Sequence, residues 1–179
     1  MNGGGTTDGS VFEGIARAFK PEGAFAEELR RAGFDVHAPR TRYPASVLLG
    51  VLDVVHRHAY PELERLEAHR RIGERYVDCF FETLLGKVFY SLLRVLGLRR
   101  FLIRLPKIAP MVLSGLEVQV EEEGPGALLL KFHSEHEVYS PEFIAGGMAG
   151  TGRLTSDQIQ VEIVHRSARD CELRVTGLR

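Results

Sequence analysis

The feature that most restricts the fold of this chain is a change of hydrophobic period near residue 115. Before it, apolar residues recur every three or four positions. After it they alternate, in "LEVQVEEE" (116–123) and, across a "GPG" turn, in "ALLLKFHSE" (127–135). A period of two is the signature of a half-buried strand, so these segments predict an antiparallel hairpin. Ser140, Pro141 and Glu142 then supply an N-cap, a first-turn proline and an acid that suits the helix dipole, opening a helix that runs to about Gly152. "QIQVEIVHR" and "DCELRVTGL" alternate around "SARD" and form a second hairpin. The expected class is α+β: a helical N-terminal half packed on a four-stranded antiparallel sheet with ββαββ order at the C-terminal end.

The amino half reads as helices. Pro21 to Ala32 places Phe25 and Leu29 on one face and ends at Gly33. "HAPRTRYP" is a loop, and a second helix starts near Pro44, carries Val47, Leu48, Val51, Leu52 and Val55 at helical spacing, and stops before Pro61. From Glu62 to about Leu96 the spacing of Leu66, Gly73, Val77, Phe80, Leu84 and Val88 predicts one long central helix, with Gly86 as a weak point. Its later polar stripe is only Thr83, Lys87, Ser91 and Arg94, which predicts passage through the interior. Leu98 to Leu105 is a shorter helix stopped by Pro106 and Pro110. A chain of 179 residues suits one domain, expected over 11–179, behind a flexible leader "MNGGGTTDGS" at 1–10.

With 23 basic and 24 acidic residues the net charge is -1, so nothing draws the whole molecule to nucleic acid or an anionic surface, and no nucleic-acid partner is expected. Charge is nevertheless uneven. Residues 83 to 116 hold six cations and no acid, whereas 117 to 123 hold four glutamates. Arg94, Arg99, Arg100, Arg104 and Lys107 gather at the end of the central helix. There they offset the dipole and pair with the acidic strand, or meet an anionic ligand or partner. The most apolar stretch, Leu84 to Ile103, contains Lys87, Arg94, Arg99 and Arg100, too many charges for a membrane span. Cys79 and Cys171 lack metal or redox spacing, which predicts two reduced thiols and a cytoplasmic protein, with a bridge between the two as the lesser alternative.

The stretch 128–136 invites several chemistries, and strand parity sorts them. Leu128, Leu130, Phe132, Ser134 and His136 share one face; Leu129, Lys131, His133 and Glu135 share the other. His133 and His136 point oppositely, so they cannot share a zinc ion. Ser134 and His136 lie where an apolar row ends, which describes a pocket rim; a mid-strand serine lacks the exposed turn and oxyanion hole of a nucleophile. "GGMAGTGRL" spaces Gly147 and Gly152 like a phosphate loop but has Arg153 and Leu154 where lysine and a hydroxyl are needed. Its small residues Ala145, Gly146, Ala149 and Gly150 instead predict a helix lying close to the sheet. His56 and His58 sit about 200° apart on a helix and cannot chelate together. His69, beside arginines, reads as an exposed helix residue.

"YPELERLEAHRRIGERYVDCFFETLLGKVFYSLLRVLGLRRFLIRLPKIAP" with "VEEEGPGALLLKF" resembles a myxobacterial paralogous family, a domain of unknown function. "LLLKFHSEHEVYSPEFIAGGMAG" is in addition similar, more distantly, to the haem-nitric-oxide-binding domain and its vinyl-reductase-like relatives. In haem members a Tyr-x-Ser-x-Arg motif grips the propionates; the matching positions here are Phe132, Ser134 and His136. Ala109 falls where the iron-ligating histidine belongs, and no histidine occurs between His69 and His133. The resemblance therefore implies the fold and a ligand site without haem by the usual histidine route, and no cofactor is expected. The expected function is a non-enzymatic small-molecule-binding or sensory module holding an apolar or amphipathic ligand. Phe132, Ser134 and His136 of the hairpin, Phe80, Leu84 and Val88 of the central helix, and Arg104 are its candidate lining. The alternative is an interaction adaptor that forms a homodimer, or binds a protein partner, through its helical face.

Overall fold

The computed structural model of the protein describes residues 5–135, 140–155 and 157–179. It is α+β, as the period change requires. Helices α1 (Gly9–Phe19), α2 (Gly23–Arg31), α3 (Ser46–Ala59), α4 (Arg65–Phe80), α5 (Leu84–Leu96), α6 (Leu98–Ile103) and α7 (Leu105–Val112) precede the main sheet. Strands β1 (Thr6–Asp8) and β2 (Arg42–Pro44) pair with each other within this helical half. Strands β3 (Leu116–Gly124) and β4 (Ala127–Ser134), helix α8 (Pro141–Leu154), and strands β5 (Gln160–Arg166) and β6 (Asp170–Thr176) follow. The sheet is antiparallel with order β3-β4-β6-β5.

Parity in β4 is as the alternation demands. Leu128, Leu130, Phe132 and Ser134 are buried, whereas Lys131 reaches Glu121 at 2.7 Å and His133 reaches Asp170 at 2.7 Å on the outer face. Ser140 caps α8 by accepting the Phe143 N–H at 3.3 Å, as its sequence position predicts.

Several expectations need correction. The stretch read as a leader is structured from Thr6: Thr7 is buried in β1, and Asp8 caps α1 by accepting the Ser10 N–H at 2.9 Å. The helix from Leu98 ends at Ile103, ahead of Pro106, but a new helix, α7, follows at once and contains both prolines. Pro106 takes a first-turn position whose N–H would have no intrahelical acceptor. The long central helix is two helices. At the junction Thr83 donates to the Phe80 carbonyl (2.7 Å) and accepts from the Gly86 N–H (3.1 Å), ending α4 and capping α5. A Cβ on Gly86 would collide with the Phe80 carbonyl, so the chain turns here only with glycine.

The small residues of α8 also serve a different neighbour. Gly146 and Gly150 face α4, where a Cβ on Gly146 would strike the Arg70 carbonyl oxygen, and α4 returns the approach through Gly73 against Phe143. These helices touch backbone to backbone, and α8 lies against β5 as well.

Candidate functional site

A cavity of about 190 Å³ lies among α4, the α5–α7 segment, α8 and the inner face of the sheet. Aromatic side chains build much of its wall. Tyr76 lies near Phe143 and Phe80 (centroids 4.6 and 5.6 Å), Phe80 meets Phe89 edge-on at 6.0 Å, and Phe89 meets Phe101 at 6.2 Å. Phe132 of β4, Met148 of α8 and Ala109 of α7 complete the parts that matter here. The wall is almost wholly carbon, as small-molecule sites usually are.

Three lining residues carry hydroxyls: Thr7, Tyr76 and Thr151, the last already donating to the Gly147 carbonyl at 2.8 Å. Thr7 lines the cavity, is 1% exposed, and its Oγ1 has no hydrogen-bond partner among the described residues. Such a buried orphan costs about 1–3 kcal/mol unless something meets it. Tyr76 also lines the cavity, and burial pushes its phenol well above the ordinary range, so it stays a neutral donor. No charged side chain lines the cavity among the described residues.

The sequence-predicted residues divide. Phe80 and Phe132 line the cavity. Ser134 is buried on the same strand face, one residue pair beyond the lining, with its N–H on the Arg169 carbonyl at 2.9 Å. Leu84 and Val88 are not lining residues: they face outward, because the break at Thr83 resets the helical phase and turns Gly86, Phe89 and Leu93 inward. Arg104 is exposed outside the cavity, in a groove with Arg100 and Lys107. His136 lies outside the described residues. Thr7, Tyr76, Phe89, Phe101, Phe143 and Met148 escaped the sequence reading. The aromatic members had a usable signal in their helical spacing, whereas a three-residue strand such as β1 has none.

His69 is not exposed. It is 1% exposed beneath α8, with Nδ1 3.1 Å from Ser140 Oγ and Nε2 3.1 Å from Asp53 Oδ1. Asp53 is itself held by Arg65 at 2.6 Å. Burial, with Arg65 nearby, holds the imidazole pKa below its usual value. The connectivity is that of a Ser-His-Asp triad, but Ser140 is sealed from solvent and its oxygen accepts the helix-capping N–H, so the network ties α3, α4 and α8 together. Cys79 and Cys171 are free thiols, and burial pushes Cys171 up to about 12, far from a reactive thiolate.

The whole arrangement has the fold of H-NOX domains. An oxygen-binding H-NOX domain related to soluble guanylate cyclases matches with a TM-score of 0.69 at 14% identity, covering 94% of this chain and 91% of that one. A mutant of the T. Tengcongensis H-NOX gives 0.67 at 14% identity, with 93% and 94% covered. A structure probing the function of haem distortion in the H-NOX family gives 0.69 at 13%, with 95% and 94% covered. These TM-scores, at such low identity, establish a shared fold and nothing more. The chain itself belongs to the family of unknown function DUF2378, whose model matches residues 4–176. Among curated proteins none matches the sequence.

Haem, which that fold implies, does not fit this cavity. Ala109 stands in the α7 wall where the resemblance places the iron ligand, and no histidine or cysteine among the described residues lines the site. A cavity of ~150 Å³ suffices for benzene. About 190 Å³ therefore admits a small aromatic or alicyclic molecule and not a porphyrin. No arginine among the described residues reaches in to hold propionates.

Proposed function

We propose that the protein is a cytoplasmic, non-enzymatic sensory module that binds a small, neutral, mostly apolar molecule in this cavity. The observation that carries the reading is the combination of a carbon wall with the orphaned Thr7 hydroxyl. Apolar surface supplies affinity, and a molecule whose acceptor or donor reaches the Thr7 hydroxyl as the wall adjusts would remove that group's cost and so be selected. Tyr76 adds a second neutral hydroxyl. The uncharged lining disfavours carboxylates and phosphates, which would enter without compensation.

Two measurements test this. Crystals pressurised with xenon are expected to show the gas between Phe89, Phe101 and Phe132, as in other dry apolar cavities. Native mass spectrometry of freshly purified protein is expected to retain a small-molecule mass that organic extraction removes. An empty cavity under xenon together with a bare protein mass would refute the reading. A Soret band characteristic of ligated haem after reconstitution would refute its exclusion of haem.

A further inference from the structure

The outward face of α5 belongs to neither the cavity nor the core. Leu84, Val88, Leu92 and Val95 follow at three- or four-residue spacing along it, and Leu84 and Val95 are 83% and 82% exposed. Lys87 and Arg94, also exposed, flank this stripe on one side, roughly 60–80° around the axis from Leu84. At the end of α5 the stripe runs into an open groove that Leu96 shares with Arg100, Arg104 and Lys107. None of these five cations forms an ion pair among the described residues, although neighbouring Arg99 pairs with Glu122. Glu121 and Glu123 of the nearby strand are engaged elsewhere, with Lys131 and Arg174.

We propose that this face docks on the surface of an anionic lipid bilayer, with the α5 stripe entering the headgroup–acyl boundary and the flanking cations meeting lipid phosphates. A ridge of exposed leucine and valine bordered by lysine and arginine is the pattern of an interfacial amphipathic helix. Charge complementarity selects this occupant. A second copy docked across a two-fold axis would set the same cations against themselves. A nucleic acid would satisfy the cations and leave the apolar stripe in water. An acidic protein segment on this face would leave vesicles unbound, an outcome that the test below counts as refutation. Headgroup phosphates beside acyl chains answer both halves of the surface.

The test is co-sedimentation of the full chain with vesicles of phosphatidylcholine alone and with about a third phosphatidylserine. Binding to the mixed vesicles is expected to be at least about tenfold tighter and to weaken as salt rises. The triple variant Arg100→Gln, Arg104→Gln, Lys107→Gln should bind the mixed vesicles roughly a hundredfold more weakly. Leu84→Ser with Val95→Ser should weaken binding about tenfold or more with an unchanged melting temperature, since both side chains are already in water. Equal binding to both vesicles, or none to either, overturns the proposal. So does a dimer in solution that Leu84→Ser with Val95→Ser converts to monomer, which would assign the face to a second copy. A duplex oligonucleotide that competes for the same face and is indifferent to Leu84→Ser would equally overturn it.

Discussion

Replacing Thr7 with valine exchanges a buried hydroxyl for a methyl group of the same shape. Thr7 Oγ1 has no partner among the described residues, so the exchange breaks no hydrogen bond and removes the desolvation cost of the orphan, about 1–3 kcal/mol. Thr7 pairs with Tyr43 in β1 through its backbone, which valine preserves, and valine is at least as good a strand residue. We expect Thr7→Val to stabilise the ligand-free protein by about 1–2 kcal/mol. For a chain of this size each kcal/mol moves the melting temperature by ~2–4 °C, so the shift is about 2–8 °C. The assay is denaturant unfolding of protein refolded without ligand, read as a raised midpoint at constant slope. Thr7→Ser is the control: it keeps the orphan, loses a methyl, and should be less stable by about 1 kcal/mol. Thr7→Val equal to or below wild type in stability would refute the claim that this hydroxyl stands unmet.

Gly146→Ala should destabilise by about 3 kcal/mol or abolish folding because its methyl meets the Arg70 carbonyl, whereas Gly147→Ala, whose methyl meets Tyr76 at an ordinary 3.7 Å, should stabilise by roughly 0.5–1 kcal/mol in thermal melts. Leu93→Ala should cost about 2–5 kcal/mol and Leu84→Ala nearly nothing, a comparison in urea unfolding that reads the phase of α5 directly. The depressed pKa of His69 means the unfolded chain takes up this proton first. Stability should therefore be level above about pH 6.5 and fall as pH drops from there toward the lower folded pKa, amid Asp53, Arg65 and Glu142. His69→Asn should remove that slope in urea midpoints measured across pH.

Where one residue's neighbours in sequence decided its role, the sequence was sufficient. β4 demonstrates it: alternation alone assigned Phe132 and Ser134 inward and Lys131 and His133 outward. The central helix misled because Leu84 and Val88 continue the spacing of Val77 and Phe80 across the break. The local sign of the break was Thr83, a cap that looks like one more polar helix residue. Placement of His69 was illegible for another reason. Its partners lie 16 and 71 positions away, so its burial depends on packing that no local pattern reports. Much of the cavity wall shares that limit, above all Thr7, which reaches the site through a short strand tied by its pairing with β2 and a bridge to Leu113.

The contact between α4 and α8 has a mechanical consequence. At Gly73 and Gly146 the two backbones meet with no side-chain layer between them, so there is little in that seam to compress or re-pack. A guest bound as proposed would press on this seam from one side and, on the other, on the short helices α6 and α7, which join at Arg104. Of the two sides, the one built of short helices is where displacement on filling is expected, so occupancy of the interior would be read out on one face of the molecule and not on the other.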